Sequence, residues 1–231
     1  MSEAPRSSTV FVVDDDADMC RSLVALLEAL EFSVRAFCSP SAFRRFYRAD
    51  LPGVLLLDVQ MPEQNGLQLY EQLLEEGKRL PVIFITAHTD VPTAVAAMKT
   101  GAIEFLEKPF DRAALADLVR KGLELDHEWR RRDAEFAALK QRVERLSERD
   151  RETLDLILAG ESNKTMAAQL FISQRAVEMR RAAIMRKLNV RSLAELLDLT
   201  ITYQILSDLR CATGNQYLRP DPGRQATGPV T

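Results

Sequence analysis

Three observations predict an α/β domain followed by an all-α one. Short β-branched or apolar runs alternate with helix-like segments over the first ~110 residues. One run, Val54–Leu57, is continuously apolar up to Asp58, as expected of a central strand covered on both faces. After Asp111 the strand-like runs stop and helical spacing alone remains. The prediction is a doubly wound, five-stranded parallel sheet, then a long linker helix, then a compact domain of four short helices.

In order, the strand-like runs are Thr9–Val13, Ser33–Ala36, Val54–Leu57, Val82–Ile85 and Ala102–Leu106. Between them lie helical patterns at Met19–Leu30, Ser41–Arg48, Leu67–Glu76 and Val91–Thr100. Ser39-Pro40 is a start signal for the second helix, a capping serine followed by proline in the first turn. From Leu115 to Leu146 an alternating three-four spacing picks out ten positions, eight of them apolar; Gly122 and Arg132 interrupt it. This is a long helix, either a dimerising coiled coil or a helix that packs on the first domain and then spaces it from the second. Four short helical segments follow at 148–158, 162–170, 173–188 and 192–206. Ser162, Ser173 and Ser192 stand where N-caps belong, and Ser192 with Glu195 forms a capping box.

The expected domains are a tail at 1–8, the α/β domain at 9–125, a helical linker at 126–146 and the helical domain at 147–208. Residues 209–231 are rich in Gly, Pro, Thr and Gln and are expected to be disordered.

Charge separates the halves. Residues 1–127 carry 13 Lys+Arg against 20 Asp+Glu, while 128–231 carry 18 against 14. Residues 173–191 hold six basic side chains against one acidic, Glu178. An acidic front and a locally basic back point to two partners of different kinds. Three scattered cysteines without C-x-x-C spacing, and only two histidines, argue against a zinc site. No apolar run approaches ~20 residues and the N-terminus lacks a signal-peptide pattern, so a cytoplasmic protein with no membrane partner is expected.

The residues that carry chemistry lie at strand ends. Asp14, Asp15 and Asp16 follow the first strand, Asp58 ends the third, Thr86 follows the fourth run and Lys108-Pro109 follows the fifth. In a doubly wound sheet these ends converge on one crevice. Several carboxylates there repel one another unless a cation joins them, and an oxygen-only donor set favours Mg²⁺. A carboxylate so placed can attack a phosphoryl group, with a lysine and a hydroxyl holding the remaining oxygens.

The stretches VFVVDDD, LLLDVQMPEQNGLQL and VIFITAHTDVPTAVAAMKTGAIEFLEKPF resemble the receiver domain of two-component response regulators over roughly residues 8–125. The resemblance implies a flavodoxin-like fold and Asp58 as phospho-acceptor for a histidine kinase. It implies Asp14 and Asp15 as the acidic pair, with Asp15, Asp58 and the Gln60 backbone carbonyl on Mg²⁺. Thr86 and Lys108 would bind phosphoryl oxygens, Phe105 would be the aromatic switch that follows Thr86, and Lys108-Pro109 would be cis. The domain modifies itself and slowly loses the phosphoryl group to water, so the chain is not read as an enzyme.

Ser173–Leu188 suits a DNA-reading helix. Val177, Ile184 and Leu188 form one apolar face, while Gln174, Arg175, Glu178, Met179, Arg181, Ala182 and Arg186 lie largely outside it. The preceding ESNKTMAAQLF is amphipathic and joined by a very short break, as in a helix-turn-helix. Residues 146–200 resemble the C-terminal domain of LuxR-type regulators, and with this receiver the chain looks most like the FixJ-like branch of the NarL/LuxR group. By resemblance, Glu178, Met179 and Ala182 meet base edges in duplex DNA. Lys164, Ser173, Arg180 and Arg181 are candidates for phosphate contacts, and Arg175 stands among them on the DNA-binding helix. Ala176 and Arg180 depart from the family's frequent Thr and His.

The resemblance further implies that phosphorylation creates a homodimer, which presents two DNA-binding domains to half-sites one helical turn apart, ~34 Å. Before phosphorylation the receiver either masks the recognition helix or leaves the protein monomeric. Two other readings compete: an interaction protein whose C-terminal module binds protein or RNA, and a Mg²⁺ phosphatase. The second is disfavoured by Gln60, where such hydrolases place a second Asp.

Overall fold

The computed structural model describes residues 8–62, 64–87 and 101–212. They form two compact units that divide at Arg130/Arg131. The expected helical pattern Val91–Thr100, the tail 1–7 and the residues after Ala212 lie outside the described residues.

In the first unit, strands β1 (Thr9–Val13), β2 (Ser33–Phe37), β3 (Gly53–Asp58), β4 (Val82–Thr86) and β5 (Glu104–Glu107) form one parallel sheet in the order β2-β1-β3-β4-β5. The five predicted strands are all present, with ends shifted by at most two residues. Alternation along each strand sorts the core into two faces. Phe11, Val13, Leu55, Leu57, Val82 and Phe84 pack with Phe43, Tyr47, Leu69, Tyr70 and Leu73 of helices α2 (Pro40–Phe46) and α3 (Gly66–Glu75) and the residues beside them. Val10, Val12, Val54, Leu56, Ile83 and Ile85 pack on the other face with Leu23 and Leu27 of α1 (Ala17–Glu28) and Leu115 and Val119 of α4 (Arg112–Glu144). Every residue of β3 is buried, as its continuous apolar run foretold.

Helix α4 explains the interruption at Gly122. A side chain there would meet Val54 Cγ2 at 2.5 Å, so the helix can lie this close to β3 only because that residue has no Cβ. Further along, the buried Asp126 accepts from the Gly53 amide at 2.9 Å and from Arg130 Nε at 2.8 Å. Arg130 in turn donates to the carbonyls of Ala49 and Leu51. The Arg79 guanidinium lies 3.5 Å from the Trp129 ring centroid. Residues 126–130, expected as linker, therefore belong by contact to the first unit.

The second unit comprises the end of α4 with α5 (Glu148–Leu158), α6 (Asn163–Gln169), α7 (Gln174–Leu188) and α8 (Leu193–Ala212). Its core is Leu146, Leu154, Ile157, Met166, Val177, Ile184, Leu188 and Leu196, with Val143 packed against it. Ser162 and Ser173 cap as expected, accepting from the Thr165 and Ala176 amides. Ser192 accepts from Glu195, but the carboxylate of Glu195 takes the Arg191 amide instead of the Ser192 one. The apolar seam of α4 is occupied inside this unit too: Phe136 stacks on Tyr203 at 6.0 Å, and Leu139 is buried. Helix α8 runs six residues beyond the expected end at 206, into the segment expected to be disordered.

Candidate functional site

Sheet register brings the acidic pocket together. Val13 is paired with Leu57, so Asp14 and Asp58 leave neighbouring strands side by side. Thr86 is paired with Glu107, which sets Lys108 one residue past the edge of β5, its amide donating to the Thr86 carbonyl at 2.7 Å. Lys108 Nζ donates to Asp14 Oδ2 at 3.0 Å and to Asp58 Oδ1 at 2.9 Å. The other Asp58 oxygen accepts from the Gln60 amide at 2.7 Å, and Asp14 Oδ1 accepts from the Asp16 amide. The Lys108-Pro109 peptide is cis.

Burial is the largest influence on Asp58 and holds its carboxyl above the usual range, although Lys108 and the Gln60 amide pull the other way. Lys108 responds oppositely. Burial disfavours its charge, but the bonds to Asp58 and Asp14 outweigh burial and raise it. Thr86 is fully buried; Phe105 is half-buried with its ring 6.1 Å from Phe84. Asp15 is exposed beside the pocket, and Asp16 is spent as the α1 N-cap.

Among the described residues no three His, Cys, Asp or Glu side chains form a ready metal cage. The donors nonetheless suit Mg²⁺: two buried carboxylates share one ammonium, Asp15 adds a third, and all are oxygen ligands.

Sequence reasoning missed Gly66. A Cβ there would stand 2.2 Å from the Asp58 carbonyl oxygen, and the Gly66 amide donates to the Val59 carbonyl at 3.0 Å. The start of α3 thus fixes the backbone of the residue that carries the pocket. The signal was an Asn-Gly pair beginning seven residues after the strand's last residue, Asp58, open to reading as a plain turn.

In the second unit, Arg175, Glu178, Met179 and Ala182 are exposed on one face of α7, with Met179 68% exposed. Ser173 and Lys164 are exposed at the N-terminal ends of α7 and α6. Arg181 and Arg180, also expected among the phosphate contacts, lie off that face. Arg181 falls in the inward stripe with Val177, Ile184 and Leu188, and donates to Asn163 Oδ1 at 3.1 Å. Its expected outward position fails because the spacing 177-181-184-188 is one continuous face. Arg180 lies on the flank, lining a groove with Arg149 and Phe171.

The far end of α7 is held by two contacts the sequence did not reveal. Lys187 Nζ meets Asp150 Oδ2 at 2.5 Å, and that carboxylate also accepts from the Ser147 hydroxyl. Arg142 of α4 donates to the Leu188 carbonyl at 3.2 Å.

Residues 10–120 match the response regulator receiver domain, and residues 144–200 match the luxR family of bacterial regulatory proteins. The chain belongs to the response regulators that carry a LuxR-type DNA-binding domain. It is 38% identical over 195 residues to the response regulator protein TodT of Pseudomonas putida, covering 84% of this chain and 86% of that one. It is 40% identical over 200 residues to the transcriptional regulatory protein FixJ of Azorhizobium caulinodans, covering 85% and 93%. Among solved structures, the response regulator StyR superposes with a TM-score of 0.79 at 43% identity, over 85% of this chain and all of that one. The response regulator is thus a transcription regulator of the two-component type, not an enzyme. A receiver implies a kinase partner, and the LuxR-type domain implies DNA binding. Among the described residues no helix is long and apolar enough to cross a membrane.

Proposed function

We propose that Asp58 accepts a phosphoryl group from the phosphohistidine of a kinase, and that this modification promotes dimerisation and sequence-specific duplex binding. The observation that carries the reading is the single ammonium of Lys108 shared by Asp14 and Asp58 at the ends of adjacent strands. A carboxylate oxygen of Asp58 forms the new bond to phosphorus as the histidine nitrogen leaves. Lys108 then faces a more negative group, and the Thr86 hydroxyl supplies a further hydrogen bond. Phe105, half-buried against Phe84, follows Thr86.

Mg²⁺ belongs on Asp14, Asp15, Asp58 and the Gln60 carbonyl, where it offsets repulsion between carboxylates and phosphoryl oxygens. On DNA, Glu178, Met179 and Ala182 meet base edges, while Lys164, Ser173 and Arg175 grip phosphates. Arg180 and Arg181, on the flank and in the inward stripe, stay candidates for phosphate contacts beside that face. The protein acts in the cytoplasm, where kinase and DNA both reach it.

Fluorescence anisotropy on promoter fragments with Mg²⁺, with and without a phosphoryl mimic, tests this for wild type and Asp58→Asn. Tightening by the mimic in wild type alone supports it. Equal tightening in the variant, or no duplex binding by wild type in either state, overturns it.

A further inference from the structure

Cys20, in the first turn of α1, and Cys38, the residue after β2, share a side-chain hydrogen bond. Register explains the meeting. Phe37 is paired with Val13, and the Asp14 amide donates to the Phe37 carbonyl at 3.3 Å, so β1 and β2 end level. The Cys20 amide closes the first turn of α1 on the Asp16 carbonyl, which sets its side chain over the gap between the two strand ends. Its sulfur lies 3.3 Å from the Asp14 carbonyl oxygen and 3.8 Å from the Phe37 carbonyl oxygen.

The two thiols differ in access. Cys20 is 4% exposed and packs with Leu23 and Leu27, while Cys38 is exposed. A buried cysteine alone is a small apolar side chain. A buried thiol hydrogen-bonded to an exposed one is a dithiol, with one sulfur open to solvent and a second behind it to resolve the oxidised product. In a reducing compartment such a pair rests as two thiols and closes only under an oxidant. Closure brings the sulfurs from hydrogen-bond contact to about 2.05 Å, and the exposed Cys38 side chain supplies the movement.

We propose that Cys20 and Cys38 form a peroxide-oxidised disulfide site that controls the acidic pocket beside them. The Cys38 sulfur attacks one oxygen of the peroxide, the O–O bond breaks, and the other oxygen leaves as water. Cys38 is then a sulfenic acid. The Cys20 sulfur attacks it, the S–S bond forms, and the sulfenic oxygen leaves as a second water with the Cys20 proton. Two thiols lose two electrons and the peroxide gains them. The sheet order gives the consequence. β1 lies between β2 and β3, so Cys38 and Asp58 stand on opposite sides of Asp14. The disulfide takes the Cys20 S–H from the Asp14 carbonyl and draws the start of α1 towards β2. That pulls Asp14 and Asp15 away from Asp58 and weakens Mg²⁺ binding. The weakening rests on the Mg²⁺ site proposed above; the disulfide does not.

The test uses full-length Cys211→Ser protein, in which this is the one pair left, with and without Cys38→Ser. Circular dichroism melts confirm that both fold. Reduced protein is treated with hydrogen peroxide, free thiols are capped with N-ethylmaleimide, and peptides are mapped by mass spectrometry. Calorimetric titration with magnesium chloride follows. The expected result is a Cys20–Cys38 disulfide within one chain, with Mg²⁺ binding weaker by about threefold or more and restored by dithiothreitol. Cys38 oxidised to a sulfinic acid beside a free Cys20, or disulfides formed only between chains, overturns the proposal. An unchanged Mg²⁺ affinity after closure overturns control of the pocket. An equal loss in peroxide-treated Cys38→Ser also overturns it, because oxidation elsewhere is then the cause. Reduced protein that binds no Mg²⁺ yet closes the disulfide leaves the modification site standing and defeats the Mg²⁺ site of the proposed function instead.

Discussion

Lys108 and Asp58 are joined by a 2.9 Å ammonium–carboxylate hydrogen bond, yet burial still holds the Asp58 carboxyl above its ordinary range. The sign of the linkage follows. A carboxyl with a raised folded-state pKa is disfavoured in its ionised form, so its contribution to stability improves as pH falls through the raised value. Asp58→Asn removes that cost. The variant should unfold at a higher temperature than wild type at pH 7, and the gap should close as pH approaches ~4. Millimolar Mg²⁺ should raise the wild-type melting temperature and raise that of Asp58→Asn much less. Thermal melts with and without Mg²⁺ check both statements. A variant less stable than wild type at pH 7 would mean the Lys108 bond outweighs burial.

The buried Asp126 carboxylate satisfies the Gly53 amide and Arg130 together. Asp126→Ala leaves both donors without their acceptor and should cost the first unit about 2–3 kcal/mol. Asp126→Asn retains an acceptor oxygen of the same reach and should cost less. Urea denaturation of the two variants separates the cases, and equal costs would show that the negative charge, not the hydrogen bond, matters.

The second unit reaches back into α4. Phe136 stacks on Tyr203, Leu139 is buried, and Arg142 donates to the Leu188 carbonyl. A fragment of residues 131–212 should therefore be more stable than one of residues 147–212, by several kcal/mol given the buried Leu139 and Leu146, absent from the shorter one, at about 1.5–3 kcal/mol each. Chemical denaturation of both fragments measures the difference. Equal midpoints would return these residues to the role of a spacer.

How much of this was legible in the sequence depended on how local each determinant is. β3 was readable because one run of six buried residues states its own environment. Asp14, Asp58, Thr86 and Lys108 were readable because strand ends in a parallel sheet meet, so position along four strands gives proximity across them. Gly66 and Asp126 were not. Gly66 matters through its closeness to the Asp58 carbonyl, and Asp126 through an amide 73 residues earlier, and neither leaves a periodic trace. Arg181 was misread because a long cation can lie in a buried stripe when an acceptor such as Asn163 waits there. The α4 seam was open to a dimer or to a helix packed on the first domain and then a spacer, and its packing inside the second unit was not foreseen, since spacing reports which face is apolar and not what covers it.

Asp150 joins the Ser147 cap to Lys187 on the recognition helix. Burial works to raise its carboxyl, but the bonds from Lys187 and Ser147 prevail and hold it below the usual range. A depressed carboxyl stabilises the fold above its unfolded pKa, and that stability disappears as pH falls through the folded value. The second unit should lose stability progressively below about pH 4. Asp150→Ala should flatten this dependence and, by removing cap and ion-pair acceptor together, cost about 1–3 kcal/mol at pH 7. Denaturation of the 131–212 fragment across pH decides it; an unchanged acid slope would exclude Asp150 as its source.

The proposed DNA interface makes two kinds of contact, one from α7 and one from α6. Lys164 stands at the start of α6, off the α7 face proposed to read bases, so Lys164→Ala should weaken binding to all duplexes alike. Losing one phosphate contact should also reduce the slope of log affinity against log salt by about 0.9. Glu178, exposed one residue before Met179, should behave differently. A carboxylate accepts from the cytosine amino group, so Glu178→Ala should relax preference at one base pair, worth about 1–3 kcal/mol, and leave the salt slope intact. Because Glu178 also repels the phosphates, non-specific affinity should rise slightly in that variant. Selection from randomised duplexes, followed by salt titrations on the recovered site, measures both effects. If Glu178→Ala keeps the wild-type preference at every position while Lys164→Ala changes it, the assignment of reading to α7 and gripping to α6 is reversed.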